Sequence, residues 1–471
     1  MPETTLLPMN SETQPGIAGT VRGRLIRGFG ATALGPVVTA IIQLGTVPLL
    51  LHAWGAAKYG DWLLLSAVPS YLALSDMGFG TASGSDMTMR VAAGDREGAL
   101  RTFQSSWALL TSVSIVMMLL ASATVWWIPW QHWLKVSSVS SLQAATIMII
   151  LGAYVVVGQQ NNVAESGYRC DGNFATGILW LVLLRVIETI LTTMVALLGG
   201  SLLSVALTYL AIRSLGSLAY SLLLRHKSPW LRFGIRHARL QTVKQMAAPA
   251  LGFMAMPMGD ALTLQGFTVV IGASLGPVAV VVFSTSRTLS RISLQLMIAV
   301  THTLWPELSA AFGAGKISLA RRLHRHAIQA ALGLSVLGGL LLWVTGPFLY
   351  HIWIRKAVTF DAACFHILLF AAIANSLWYT SSVVPMSTNA HHRIAFAYLA
   401  GTSISLGLAY VLIHPLGIVG AAVALLLVQA SMSWLVLQTA LRQVQDTLRE
   451  FIVAMFTLAP LGRAWRQARE A

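Results

Sequence analysis

The chain is a succession of long apolar blocks separated by short basic turns. Segments 31–51, 106–128, 142–157, 178–198, 330–344 and 394–413 carry few or no charges. A helix needs roughly 20 apolar residues to cross about 30 Å of hydrocarbon. Any single block reads equally well as the buried helix of a soluble protein, but the series does not. Of 471 residues, 56% are hydrophobic and only 10% are charged, with a mean hydropathy of +0.71. Soluble domains carry about 25% charged residues. This chain has too few polar side chains to cover a water-exposed surface of its size. An all-α integral membrane protein follows.

Cutting at charged or Pro/Gly-rich breaks gives about twelve spans, with cores at 28–51, 62–88, 103–128, 142–163, 174–198, 203–224, 246–273, 278–304, 327–344, 365–386, 394–413 and 418–441. Pro69 predicts a kink in the second span, and Pro249 and Pro257 predict kinks in the seventh. Of the 31 Lys and Arg, 23 fall in turns and tails on one side, four fall on the other (Lys58, Lys135, Arg355 and Lys356), and four lie inside spans. That asymmetry puts both termini in the cytoplasm of a multi-pass inner-membrane protein. It also accounts for the formal charge of +15 without nucleic acid as a partner. Membrane lipids are the expected surroundings. Trp126, Trp127, Trp130 and Trp133 form an expected aromatic belt on the far side. Segment 451–461 is too short to span and, with its basic tail, reads as an interfacial helix. Residues 1–23 are polar, with no apolar core, and are expected to form a disordered cytoplasmic tail.

The two halves repeat at an offset of 221 residues. Gly45 aligns with Gly266, Gly55 with Gly276, Asp86 with Glu307, Ala93-Gly94 with Ala314-Gly315, and Arg101 with Arg322. Domains are therefore expected at 24–224 and 245–441, six spans each, joined by a basic linker at 225–244 and followed by a basic tail at 442–471. Six spans per half put the halves in one orientation, an arrangement in which transporters bind substrate between repeats.

Several motifs carry a family likeness. Pro48-Leu-Leu-Leu-His-Ala-Trp-Gly55-Ala-Ala-Lys-Tyr59-Gly60-Asp-Trp62 is followed by Tyr71-Leu-Ala-Leu-Ser-Asp76-Met-Gly78 and Ala92-Ala-Gly94-Asp95. Glu165-x-x-x-Arg169-x-x-Gly172-x-Phe174 comes next, then Ser286-Arg287 and Trp305-Pro306-Glu307-Leu308-Ser309. Across essentially the whole chain this resembles the polysaccharide-export flippases (O-antigen and capsule repeat-unit flippases) of the multidrug/oligosaccharidyl-lipid/polysaccharide (MOP) superfamily. The resemblance implies two six-helix bundles forming a V-shaped central cavity. It also implies translocation of a polyprenyl-pyrophosphate-linked oligosaccharide by alternating access, for surface polysaccharide (lipopolysaccharide O-antigen, capsule or exopolysaccharide) biosynthesis in the cell envelope. A polysaccharide polymerase is then a further candidate partner.

No enzyme constellation stands out: there is no phosphate-cradling loop, no His-Glu-x-x-His and no paired cysteines, and Cys170 and Cys364 read as free thiols. Neither a cofactor nor a metal is expected, so energy would come from coupling to H⁺ or Na⁺. The informative residues are charges within spans, because a charge at mid-bilayer costs roughly 2.5–3.5 kcal/mol unless it faces a cavity or a partner. Arg287 and Arg291, four apart on one helix face, are expected to bind the pyrophosphate, and an ion pair with Asp260 is the competing account. Arg24 and Arg27 open the first span, where headgroup capture and positive-inside anchoring are both open. Asp76 and Asp260 are candidates for ion coupling, against structural pairing. Arg185 and Glu188 are expected to pair along one helix, and Arg213 to snorkel to an interface. Gln159-Gln160-Asn161-Asn162 is expected to bond between helices. Trp378 and Tyr379 are among the aromatic residues placed to meet sugars.

Two other functions compete. A multidrug/cation antiporter of the same superfamily would need carboxylates to neutralise its substrate, and four in-span arginines outnumber Asp76, Glu188 and Asp260. A membrane polymerase or ligase would call for a large polar loop on the far side, and the longest such stretch, about 345–364, is short and partly apolar.

Overall fold

The computed structural model describes residues 15–292, 304, 307–309, 311–355, 357–388 and 392–456, without the side chains of 15–34, 36–37, 248–249 and 251–253. The side chains of Arg24 and Arg27 therefore lie outside the described set, as do Trp305, Pro306, His302, His391 and residues 457–471. All regular structure among the described residues is helical.

The principal helices are α1 (Pro15–Ser70), α2 (Phe79–Ala92), α3 (Arg96–Thr124), α4 (Ser141–Cys170), α5 (Phe174–Leu197), α6 (Leu202–Lys227), α7 (Leu240–Ala261), α8 (Phe267–Leu275), α9 (Pro277–Ser290), α10 (Ile317–Ile354), α11 (Ala362–Ser381), α12 (His392–Leu416), α13 (Ile418–Gln443) and α14 (Leu448–Phe456). Ten described segments are long and apolar enough to cross a membrane. The first, Val38–Ala92, has 55 residues and holds two of the expected spans. At 1.5 Å per residue it is far longer than a bilayer is thick. The chain turns within α1 at Gly55, whose φ of 71° and ψ of 173° no helix contains. Helix α9 is the described part of the expected eighth span. By the length and apolar character of these segments the protein is a multi-pass membrane protein.

The 221-residue repeat returns in the backbone. Gly276, the counterpart of Gly55, has φ 88° and ψ 178° and separates α8 from α9 as Gly55 divides α1. Both glycines occupy a region that side-chain-bearing residues avoid. Gly94 and Gly315 share positive φ, 82° and 69°. The next residues, Asp95 and Lys316, cap α3 and α10 at nearly identical angles, φ −84° with ψ 70° and 67°. At Asp95 the carboxylate accepts from the Gly98 amide at 2.7 Å, which holds that carboxyl below the usual carboxylate range.

Two spans are broken rather than straight. After Pro69 the second span passes through a 3₁₀ turn, Tyr71–Asp76, then two left-handed residues, Met77 and Gly78, before α2 resumes. Side chains from α4 stitch this break: Gln159 Nε2 donates to Leu72 O at 2.6 Å, and Ser166 Oγ donates to Gly80 O at 2.9 Å. Gln159, Gln160 and Asn162 thus bond between helices as expected, whereas both amide atoms of Asn161 are buried with no partner among the described residues. In the seventh span, α7 carries Pro249 and Pro257 and opens into a five-residue π turn, Leu262–Gly266, before α8.

The halves meet most tightly on the side away from the basic turns. A Cβ on Gly60 would stand 2.2 Å from the carbonyl oxygen of Pro277, and one on Gly272 would stand 2.1 Å from the Leu64 side chain. Trp353 Nε1 donates to Leu44 O at 2.6 Å, and Lys135 Nζ donates to Ser274 O. Nearer the basic turns, Phe79 and Ala82 of α2 pack against Met246 and Ala250 of α7. The basic linker is ordered against the N-terminal half. Trp230 and Ser228 bond Asp171, Gln104 bonds the backbone of Arg232 and His237, and Ser105 accepts from the Arg239 amide.

Three finer expectations are sharpened. Trp126, Trp127 and Trp133 are exposed as a belt requires, but Trp130 is buried and its indole donates to Val125 O. Segment 451–461 contributes to the nine-residue helix α14, which buries Phe451 while Ile452, Val453 and Phe456 stay exposed. Arg325 anchors it by pairing with Asp446 and Glu450. Cys170 and Cys364 are free and buried.

The contact at Gly60 yields a test. Gly60→Ala must displace the Pro277 backbone, and overpacking of this kind costs about 1–3 kcal/mol, whereas Gly45 has open space around it. The detergent-solubilised Gly60→Ala protein is expected to melt several degrees below wild type, and Gly45→Ala to melt with it. Equal melting of all three would refute the close approach.

Candidate functional site

Charges buried in spans are handled differently in the two halves. In the N-terminal half, Glu188 on α5 is 1% exposed and pairs with Arg213 of α6 through two bonds, Nε to Oε1 at 2.5 Å and Nη2 to Oε2 at 2.7 Å. Tyr154 of α4 donates to the same carboxylate and accepts from Arg213, whose guanidinium also lies 4.3 Å from the Tyr154 ring centre. This overturns two expectations. Arg185 does not pair with Glu188, because its guanidinium turns toward α1 and donates to Thr39 Oγ1 at 2.8 Å. Arg213 does not snorkel, because its side chain is only 19% exposed. Away from water, a bidentate interhelical pair outweighs two side chains that merely sit three residues apart.

Asp76 closes the break in the second span. Its Oδ1 accepts from the Gly80 amide at 2.9 Å, and its Oδ2 faces Asn162 Nδ2 at 3.4 Å. Each oxygen thus meets a neutral donor across the turn.

The C-terminal half holds its charges open. A cavity of about 490 Å³ lies among α7, the π turn, α9, α11, α12 and α13, and Arg287, Arg291 and Asp260 all line it. Among the described residues no ion pair joins Asp260 to either arginine. Asp260 accepts instead from the Tyr398 hydroxyl at 3.0 Å. Arg287 Nη1 donates to the carbonyl oxygens of Thr263 and Leu264 at 3.2 and 3.3 Å, both in the π turn. Its guanidinium stands 5.3 Å from the Phe283 ring centre. Arg291, at the end of α9, is exposed to the cavity. The lining also includes Trp378 and Tyr379, together with Asn375 and Gln429. The sequence reading named Arg287, Arg291, Asp260, Trp378 and Tyr379 but missed Tyr398, Asn375 and Gln429. A lone amide in an otherwise apolar span was the signal for the last two, because such a group needs a bonding partner there.

A second cleft of about 200 Å³ lies at the basic turns, lined by Arg90, Arg101 and Arg239. Its positive charge is largely spent: Arg90 pairs with Asp86 and Asp95, and Arg101 with Glu97. A metal-binding group of His, Cys, Asp and Glu is absent among the described residues.

No protein-family model and no curated protein sequence matches the chain. Solved structures match its fold. An inward-facing multidrug resistance MATE family transporter of the MOP superfamily superposes with a TM-score of 0.73 at 14% identity, covering 89% of this chain and 96% of the other. An outward-facing transporter of the same description gives 0.65 at 14% identity, covering 90% and 95%. A MOP superfamily transporter from Pyrococcus furiosus, described as having a binding pocket of reversed polarity that suggests a different function, gives 0.63 at 14% identity, covering 90% and 95%. The fold is therefore that of the MOP superfamily transporters.

The buried pair gives the second test. Removing one partner of a buried ion pair costs about 3–5 kcal/mol, whereas replacing both with apolar groups is close to neutral. Glu188→Leu and Arg213→Leu are each expected to lower the melting temperature and yield of purified protein, and the double variant to regain most of the loss. Additive losses would show that the two side chains do not depend on each other.

Proposed function

We propose that the protein is an alternating-access flippase that carries a polyprenyl-pyrophosphate-linked oligosaccharide across the bacterial inner membrane for surface polysaccharide assembly, with both termini in the cytoplasm. One observation carries this reading: two arginines with no carboxylate ion-pair partner among the described residues line a cavity of about 490 Å³ between apolar spans. A permanently charged guanidinium fork matches phosphate oxygens, and in a low-dielectric cavity its attraction for an anion is strong. Arg287 and Arg291 bind the pyrophosphate. Arg24 and Arg27, at the start of α1, collect it from the cytoplasmic leaflet. The motif resemblance supports the substrate class. The higher superposition on the inward-facing neighbour, and the tight packing at Gly60 and Pro277, support a state open toward the cytoplasm. Of the two carboxylates considered for H⁺ or Na⁺ coupling, Asp260 is the better placed, since it lines the cavity while Asp76 serves a backbone turn. A polysaccharide polymerase in the same membrane is the partner that would take the product.

A multidrug or cation antiporter is the second reading. Asp260 favours it, because a carboxylate in the same cavity can neutralise a cationic substrate or trade it for a proton. Two of the structural neighbours, which are multidrug resistance transporters, favour it as well.

A deletion strain separates the two. Loss of surface polysaccharide with accumulation of lipid-linked oligosaccharide on the cytoplasmic side is expected. Wild-type protein should restore export, and Arg287→Ala/Arg291→Ala should not, at equal membrane abundance by immunoblot. Normal export from the double variant removes the two arginines from the mechanism. Unchanged glycolipid with new sensitivity to cationic dyes selects the antiporter.

A further inference from the structure

Arg213 is neutralised by Glu188, and Arg287 and Arg291 line the C-terminal cavity, which leaves Arg185 among the in-span arginines. It stands at the middle of α5, and among the described residues its bond is a single one, Nη1 to Thr39 Oγ1 at 2.8 Å. Thr39 gives its own proton to Gly35 O at 2.9 Å, so it meets the guanidinium only as an acceptor. Carboxylates are not at hand. The sequence has no Asp or Glu between Glu12 and Asp61, so the first span supplies none, and Glu188 is taken by Arg213. The lipid-facing stripe of α5 is Leu179, Leu183, Ile187, Ile190, Leu191 and Met194, all exposed. At about 100° of turn per residue, Arg185 falls on the opposite face of the helix. It shares that face with Thr192 and Ala196, which are buried. Arg185 is exposed all the same. Its charge therefore faces an opening inside the N-terminal half and not the hydrocarbon. Packing α5 on α1 accounts for the bond to Thr39, which a neutral donor such as glutamine could make. It does not account for a full charge, since water can fill the spare donors of a neutral group as well, and only an anion has use for the charge.

Resting on the flippase reading, we infer that Arg185 is the anion-binding residue of the N-terminal half, taking the pyrophosphate between its capture by Arg24 and Arg27 and its binding by Arg287 and Arg291. Depth supports the order. Arg27 and Thr39 lie on the same helix, roughly 18 Å apart at 1.5 Å per residue, so Arg185 is reached by moving inward along α1. Arg185 stands roughly 18 Å from the end of α5 at Leu197, and Arg287 roughly 15 Å from the start of α9 at Pro277, both measured from the side away from the basic turns. The two halves thus present unneutralised arginines at a similar level. Thr39 holds one N–H of the guanidinium in place, and the remaining donors form the fork that phosphate oxygens match.

The test measures binding of farnesyl pyrophosphate to the full-length protein in lipid nanodiscs, with farnesol as the uncharged control. Arg185→Gln keeps a donor for Thr39 and removes the charge. It is expected to bind farnesyl pyrophosphate roughly tenfold more weakly than wild type, the worth of one charge-assisted hydrogen bond, with farnesol binding unchanged. Arg185→Lys restores the charge and should recover most of the loss. Thr39→Val breaks the packing bond but keeps the charge, and it should bind within about threefold of wild type. A tenfold loss in Thr39→Val, or an equal loss of farnesol in Arg185→Gln, would make Arg185 a packing residue and overturn the inference. Wild-type affinity in Arg185→Gln, with binding lost in Arg287→Ala/Arg291→Ala, overturns it too and leaves the flippase reading standing. Failure of wild type itself to bind farnesyl pyrophosphate overturns both.

Discussion

Hydrocarbon offers no hydrogen bonds, so every backbone group inside the membrane must find its partner within the protein. That constraint organises the breaks in this fold. The interruption at 71–78 is closed by Gln159, Ser166 and Asp76, each bonding a backbone group at or beside the break. The π turn at 262–266 is met by Arg287, which donates to two of its carbonyls. Polar side chains in these spans are thus spent first on keeping irregular backbone tolerable. Irregular backbone is in turn what gives the C-terminal cavity its shape.

The same economy separates the halves by charge. In the N-terminal half, Glu188 and Arg213 neutralise each other with Tyr154 alongside, while Asp76 and Arg185 meet neutral donors and acceptors. In the C-terminal half, Arg287 leans on carbonyl dipoles and Asp260 on a hydroxyl, and neither is matched by a full opposite charge. A carbonyl holds a guanidinium in place without cancelling its charge, so the arginine stays available to an anion. Repetition of the backbone therefore coexists with divergence of the chemistry mounted on it.

Much of the scaffold was readable from one sequence because its signals are local. Apolar length and basic turns located the spans, and the 221-residue repeat singled out Gly55 with Gly276 and Gly94 with Gly315, all four at positive φ. Partners of buried charges were harder. Spacing along one helix suggested Arg185 for Glu188, but the choice depended on how α1, α5 and α6 pack, which no single helix records. Gathering Arg287, Arg291, Asp260, Trp378 and Tyr379 around one cavity depends likewise on tertiary packing. Tyr398 left no sequence signal, since a tyrosine within a span is as ordinary in packing as in binding.

The linker after α6 is bonded to the N-terminal half through Asp171, Gln104 and Ser105, and the first turns of α7 continue along α2. By Gly259 and Gly266, the same span has changed company and lies against Tyr398 and Leu406 of α12. The place where the chain passes from one half to the other is thus within the membrane, several turns beyond the loop. Any displacement of one half against the other would meet no slack tether here and would twist this span along its length. The π turn, with one residue more per turn than its flanks and its carbonyls held by Arg287, is where such torsion is taken up most cheaply. The seventh span thus joins the halves along its own length, and Arg287 is the side chain that clamps its π turn.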